Sequence, residues 1–520
     1  MSTIWVVENS APIMVKHTVI SRVSDRTANG AAAVPGMAAD GVARSDAQAS
    51  NSAANRKLYK SRVPIYPKEA EGRYRSIKWA MMAFTLSIYY LVPWLRWDRG
   101  AGAPGQAVLV DLERQRLYFF FIEIWPQEVY YITGLLILAA VSLFLINALF
   151  GRLWCGYSCP QTVWTDLFIW VETKIEGDRG ARIRLAAAPW TASKIAKRVS
   201  KHTVWLAFAV ATGGAWVFYF HDAPTLLHQL VTGTAGFGTY AAIAGLAFTT
   251  YTLGGLMREQ VCTYMCPWPR IQAAMTDNDA LGVTYRRDRG EPRGHHRKGE
   301  SWEGRGSCID CNQCVAVCPM GIDIRDGAQL ECINCGLCID ACDDVMRRIG
   351  QPLGLIAFDT EANIGRRQRG ESTRHRFVRP RTVLYAAVLV IVSGILLLTI
   401  SNRHSLDLDV MRDRNPDHVT LTDGAVRNAY TLKIMNRSGK ARILHLEVSG
   451  LKARAVTAIG IGPVQGALSV PVDADRIRTL RVLVTVARGD LAASRSVTFT
   501  LGDGEDSRTT TTAFVTGERP

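Results

Sequence analysis

Long apolar runs separated by basic and polar stretches make up most of the chain. They fall near residues 77–95, 129–150, 203–220, 237–257 and 383–400. The second, YYITGLLILAAVSLFLINALF, and the fifth, VLYAAVLVIVSGILLLTI, contain no charged residue. A helix rises about 1.5 Å per residue, so each run approaches the ~20 residues that cross a hydrocarbon core of about 30 Å. A helix also closes its backbone hydrogen bonds internally, as lipid demands. The pattern predicts about five membrane spans. A sixth apolar stretch, 117–125, is short and aromatic and is expected at the membrane interface. After residue 400 the period shortens. AYTLKIMNRSGKARILHLEVSGL, RIRTLRVLVTVARGD and SRSVTFTLGDGED read as alternating strands broken by turns, and predict a small all-β sandwich.

Charge adds direction to this pattern. Lys and Arg total 61 against 46 Asp and Glu, a net charge of +15. The basic residues cluster beside particular apolar runs: Lys57 to Lys78 before the first, Arg152 to Lys201 after the second, none between the third and fourth. That is the asymmetry of the positive-inside rule, so the excess is read as topology and no nucleic-acid partner is expected. It predicts a cytoplasmic N-terminus, and an odd number of spans then puts the C-terminus outside. The expected organisation is a disordered tail over 1–56, a transmembrane core over 57–257, a cytoplasmic cysteine-rich region over 258–382, a fifth helix over 383–400 and an outer domain over 401–520.

All twelve cysteines fall in three tight clusters, a distribution of metal ligands rather than disulfides. CIDCNQCVAVCP starts at Cys308, and CINCGLCIDAC starts at Cys332. Each reads C-x2-C-x2-C-x3-C, the spacing of a ferredoxin that carries two [4Fe–4S] clusters, in which the fourth cysteine of each half serves the other cluster. The ligand sets are therefore expected to be Cys308, Cys311, Cys314 and Cys342, and Cys332, Cys335, Cys338 and Cys318. Pro319 follows the first half, but Asp343 follows the second. A carboxylate there is expected to lower the potential of the Cys308/Cys311/Cys314/Cys342 cluster.

The remaining cysteines form an internal repeat, RLWCGYSCPQTVW with Cys155 and Cys159, and REQVCTYMCPWPR with Cys262 and Cys266. Both follow an apolar run at its cytoplasmic end, and the proline suggests a turn or the first turn of a new helix. If the two preceding helices pack together, four thiols converge. Such a set suits Cu(I), zinc or a further iron–sulfur centre, or a dithiol pair. Of the other candidates, His221 and His228 lie on the outer loop, and His295 and His296 in a basic loop expected to be solvated. Asp166 and Glu172 lie on an aromatic amphipathic segment expected in the interface plane.

These motifs, from residue 57 to the C-terminus, closely resemble the CcoG/FixG (RdxA) family, accessory proteins of cbb3-type cytochrome c oxidase. The resemblance implies a bacterial inner-membrane helix core, a cytoplasmic dicluster ferredoxin region and a periplasmic immunoglobulin-like domain. It implies reduction of Cu(II) to Cu(I) for oxidase maturation, and the hypothesis built on it is that electrons pass through the two clusters to copper held near Cys155, Cys159, Cys262 and Cys266 as substrate or transient ligand. The implied partners are oxidase subunits or copper chaperones and transporters, an electron donor of unassigned identity, membrane lipid, and a second copy of the chain as a homodimer. The twin C-x3-C-P motifs also resemble quinol dehydrogenase subunits that feed periplasmic reductases. A third reading is a non-redox assembly scaffold.

Overall fold

The computed structural model describes residues 42, 44–51, 63–99, 103–297, 299–438, 440–464, 466–474, 476–493, 495–504 and 506–516. Three of the described helices are long and apolar enough to cross a membrane: Pro126–Phe150, Phe237–Met257 and Pro380–Ser401. Their apolar side chains face outward, with Leu136, Phe248 and Val390 more than half exposed. Water does not tolerate such surfaces at this length, and lipid does. The chain is a membrane protein.

The other two expected spans form the helices Arg73–Leu91 and Ala192–Val217. Their first turns carry charge, with Arg73, Arg75 and Lys78 in one and Lys194, Lys197, Arg198 and Lys201 in the other. This shortens the apolar part of each, which is why only three of the five runs satisfy length and composition together. The stretch 117–125 contributes to a three-stranded antiparallel sheet, Val108–Asp111, Arg116–Phe119 and Ile122–Ile124, with its second turn at Phe120 and Phe121.

Between the Phe237–Met257 and Pro380–Ser401 helices the chain folds into the cysteine-rich region. Strands Gly282–Tyr285 and Ile356–Asp359 pair and close it. The Leu337–Arg348 helix packs inside, on a core of Ile309, Val315, Ile339, Met346 and Ile356. This region also caps the first long helix. Gly72, before Arg73–Leu91, offers no side-chain cap, and Asp340 instead accepts the N–H groups of Tyr74 at 3.1 Å and Arg75 at 2.8 Å. Free N–H groups at a helix start need such a partner.

The expected disordered tail needs a correction. Residues 1–41, 43 and 52–56 lie outside the described residues, but 44–51 pack on the cysteine-rich region. Ser45 N–H donates to Cys311 O at 3.1 Å and Asn51 N–H to Gly321 O at 3.1 Å. Asn51 Nδ2 donates to Thr263 Oγ1 at 3.3 Å. Val42 and Ala47 are buried in the core around Cys308 and Cys314. The small side chains that suggest disorder by composition also let a backbone lie close against a surface.

The C-terminal region is a sandwich of two antiparallel sheets. One has Ala453–Ala458, Arg476–Val486, Val426–Asn436 and Leu406–Arg412 as its main neighbours. The other runs Leu468–Val472, Arg442–Ser449, Ser496–Gly502, Ser507–Ala513. Alternate residues face inward. Tyr430, Leu432 and Ile434 meet Leu444, Val470 and Phe499 in one core, with the Tyr430 and Phe499 rings 5.3 Å apart.

Candidate functional site

The two C-x2-C-x2-C loops have one backbone shape. The residue before the second cysteine and the residue after it have positive φ in both: Asp310 at 53° and Asn312 at 57°, Asn334 at 53° and Gly336 at 75°. Left-handed residues curl the chain around a point and turn N–H groups toward it, and Asp, Asn and Gly pay least strain there. The N–H groups of Gln313, Asn334 and Ile322 accordingly point at the sulfurs of Cys311, Cys332 and Cys318. The loops are cradles for an anionic sulfur cage.

The fourth cysteines cross over by different means. Cys318 lies past the short Gln313–Ala316 helix, where Pro319 stops the chain. Cys342 rides within the Leu337–Arg348 helix. A proline after it would break that helix, which explains Asp343. Burial first, then Cys314, Cys311 and Cys308, push the Cys342 thiol well above its ordinary range. Burial first, then Cys335, hold Cys318 up at about 12, with Cys332 also contributing. The structure thus gathers Cys342 with Cys308, Cys311 and Cys314, and Cys318 with Cys332 and Cys335. Cys338 is pushed up by burial, then by Cys335, Cys332 and Cys318. Buried thiols with raised pKa values become thiolates when iron supplies the positive charge. Soft donors, number and cradles all fit two [4Fe–4S] groups.

The twin motifs approach each other at the C-terminal ends of their helices. The Val129–Phe150 helix ends at Gly151, and Leu153–Tyr157 makes one further turn. Pro160 opens the Pro160–Glu176 helix directly after Cys159. In the second motif the helix widens to π geometry over Tyr251–Met257, turns at Arg258 with φ 46° and widens again over Val261–Met265. Such widening recurs at functional sites. The Trp268–Met275 helix follows Pro267. Burial, then Cys159, raise Cys155 to about 11, and burial, then Cys159, Cys155 and Cys266, raise Cys262 to about 12. The four thiols lie within electrostatic reach of one another, and among the described residues no group of three or more stands close enough to hold a metal ion without further closure. Cys155 Sγ donates to Gln272 Oε1 at 3.3 Å.

This four-thiol site abuts the second ferredoxin half. Cys155 and Cys262 pack against the same apolar cluster as Cys318, Cys332, Cys335 and Cys338, around Met320, Ile333 and Leu337. Tyr157 donates to Cys335 O at 2.9 Å. Gly156 lies so close that a Cβ there would stand 2.6 Å from Ile333 O and 3.1 Å from Cys335 Cα. Arg152 reaches across to Cys332 O at 3.4 Å. A cleft of about 350 Å³ opens beside this junction, lined in part by Gly151, Arg152, Cys332 and Asn334. The Cys308/Cys311/Cys314/Cys342 set belongs instead to the core on the far side, with Tyr285 and Ile356. We call this set outer and the other inner.

Other candidates resolve differently. His221 and His228 are exposed. His296 is buried and stacks on Trp302 at 4.0 Å, not solvated as expected. Asp166 and Glu172 are buried ion-pair partners. Asp166 meets Arg75 at 2.9 Å and Lys78 at 3.5 Å. Glu172 meets Arg258 at 2.9 Å, Lys201 at 3.2 Å and Arg182 at 3.3 Å. Sequence reasoning missed Arg152, Gly156 and Gln272. The place of Arg152 three residues before Cys155, and of Gly156 directly after it, was the available signal.

Known proteins share this arrangement. A 4Fe–4S dicluster domain profile matches residues 257–361, and a 4Fe–4S binding domain profile matches 132–177. The profile for the IG-like fold at the C-terminus of FixG matches 396–517. The chain is 50% identical over 481 residues to "Nitrogen fixation protein FixG" of Rhizobium meliloti, covering 87% of this chain and 92% of that one. It is 49% identical over 447 residues to "Protein RdxA" of Cereibacter sphaeroides, covering 85% and 93%. A crystal structure of a FixG-related protein from Vibrio parahaemolyticus aligns at a TM-score of 0.18 and 23% identity, covering 22% of this chain and 97% of that one. With iron–sulfur domains, a C-terminal IG-like domain and half its residues identical to those relatives over most of their length, this chain belongs to the FixG/RdxA family.

Proposed function

We propose that the protein reduces Cu(II) to Cu(I) for the assembly of a cbb3-type cytochrome c oxidase. The observation that carries this reading is the packing of Cys155 and Cys262 against the inner ferredoxin half, with Cys159 and Cys266 within electrostatic reach of them. Cys308, Cys311, Cys314 and Cys342 would hold one [4Fe–4S] group, and Cys318, Cys332, Cys335 and Cys338 the other. When bound, each supplies or accepts one electron at a time.

The four outlying thiols take copper as substrate. The ion supplies the positive charge that ionises them, and protons leave as the Cu–S bonds form. Thiolates are soft donors and favour Cu(I) over Cu(II), so the site itself makes the copper easier to reduce. The copper gains one electron and the sulfurs keep theirs. Packing of Cys155 and Cys262 against an apolar cluster limits the access of competing water.

In this reading the chain spans the bacterial inner membrane five times. The charged first turns of Arg73–Leu91 and Ala192–Val217 lie at the cytoplasmic face and their apolar remainders cross. The iron–sulfur region is cytoplasmic and the β-sandwich periplasmic, where oxidase subunits or copper carriers meet it. Replacing Cys155, Cys159, Cys262 and Cys266 together by Ser is expected to abolish Cu(II) reduction by the dithionite-reduced protein and to leave both iron–sulfur EPR signals intact. Unchanged turnover would eliminate the four-thiol site.

A further inference from the structure

Arg152 stands between the two sets of sulfur ligands. It is 8% exposed. Its guanidinium donates through Nη1 to Leu330 O and to Cys332 O at 3.4 Å, and through Nη2 to Pro269 O at 2.6 Å. Leu330 and Cys332 open the inner cluster loop, and Pro269 lies three residues past Cys266. One side chain therefore ties the second C-x3-C-P motif to the inner ferredoxin loop from a position three residues before Cys155.

Its charge is not balanced by a carboxylate. All three hydrogen bonds go to carbonyl oxygens, and among the described residues no Asp or Glu forms an ion pair with it. The groups that favour its charge are the sulfurs of Cys155, Cys332 and Cys262. A buried, uncompensated cation is costly, and guanidinium remains charged in proteins. The arrangement makes sense if anionic charge appears on both sides of it. Two sources of such charge fit: an iron–sulfur group on Cys332 that has gained an electron, and a copper–thiolate group on Cys155 and Cys262.

We propose that Arg152 is a positioning residue shared by both sites, one that raises the reduction potential of the group on Cys318, Cys332, Cys335 and Cys338 and holds that group's loop against the four thiols. The inference deepens the copper-reduction reading and rests on it for the second site only. A cation near a cluster favours its reduced form. The outer set has no contact with Arg152, so its potential is set independently.

The test is an EPR-monitored redox titration of the full-length protein in detergent, with the two signals assigned through the single variants Cys314→Ser and Cys335→Ser. In Arg152→Gln the inner signal is expected to shift so that its one-electron reduction constant falls about tenfold, roughly 59 mV, while the outer signal stays. Arg152→Lys keeps the charge but cannot span Pro269 O and Leu330 O together, and is expected to lie between wild type and Gln. An unmoved inner potential in Arg152→Gln, or an equal shift of both signals, would overturn the proposal. If Arg152→Gln loses iron, Arg152→Lys decides alone: an inner shift without an outer one supports the proposal, and none overturns it. The titration contains no copper, so a protein inert toward Cu(II) would refute the copper reading and leave this test valid.

Discussion

Asp343 follows Cys342 directly, and its Oδ1 accepts the N–H of Gly354 at 2.7 Å. Its charge also acts on the Cys342 thiol. Proline at this place would lose a helical hydrogen bond and break the Leu337–Arg348 helix, at about 3 kcal/mol, so the informative change is Asp343→Asn. Removing the charge is expected to raise the potential of the outer group, the one on Cys342, by roughly 30–60 mV, a threefold to tenfold change in a one-electron constant. Redox titration checks it, and the inner group should not move. Gly156 gives a second prediction. Alanine there would press its Cβ into Ile333 O, and overpacking of this kind costs about 1–3 kcal/mol. Gly156→Ala is expected to slow Cu(II) reduction with full iron content, read by stopped-flow absorbance beside iron analysis. These residues differ in how visible they are beforehand. The cysteines announce themselves because their spacing is the chemistry. Asp343 draws notice only because proline is missing. Arg152 and Gly156 have meaning only once two segments more than 150 residues apart touch, and no local pattern encodes that contact.

Helices and loops tell a similar story one level up. The Pro160–Glu176 helix reads as an amphipathic element for the membrane surface, because its aromatic residues dominate the pattern. In the fold its acids are the buried side. Glu172 joins three cations from three segments: Arg182, Lys201 on Ala192–Val217, and Arg258 at the end of the π-widened stretch that leads to Cys262. Burial by itself would raise the Glu172 carboxyl, but Arg258, then Lys201 and Arg182, pull it below its ordinary value of 4.5. A carboxylate depressed on folding stabilises the protein above its unfolded pKa, and that contribution fades as pH falls through the lower folded value. Stability should therefore drop below about pH 4.5, and less steeply in Glu172→Gln, which has lost this term. At neutral pH the same variant leaves Arg182 and Arg258 short of a partner, while Lys201 keeps Glu176 at 2.9 Å, and about 3–5 kcal/mol of destabilisation is expected. Thermal unfolding in detergent across pH measures both effects. Periodicity found the long helices, because an apolar run of that length has few alternatives. It did not find this network, since a charge on a helix looks the same whether it meets water or an opposite charge.

Across the whole molecule, the two ends of the Val129–Phe150 helix serve different partners. Its C-terminal end leads into Cys155 and Cys159. Its other end begins at Glu128, which is 2% exposed and accepts from Arg403 Nε at 2.8 Å and Nη2 at 2.7 Å. Arg437 stands 3.7 Å away and the N–H of Trp125 at 3.2 Å. Arg403 links the Pro380–Ser401 helix to the β-sandwich, and Arg437 follows the long Val426–Asn436 strand. One buried carboxylate thus fastens the β-sandwich to the helix that leads into the first thiol pair. The sequence foretold a sandwich and a helix core, because alternation and apolar length are local. How the two are joined depends on a single acid facing two arginines some 275 and 309 positions later in the chain. Glu128→Gln leaves Arg403 and Arg437 without their shared charge, at about 3–5 kcal/mol. That loss falls on the joint, not on either body. Limited proteolysis should therefore cut faster between residues 401 and 406, while the β-sandwich keeps its own melting transition and both iron–sulfur signals persist. Equal cleavage of variant and wild type would mean that the sandwich is held by other contacts and that this carboxylate is not its anchor.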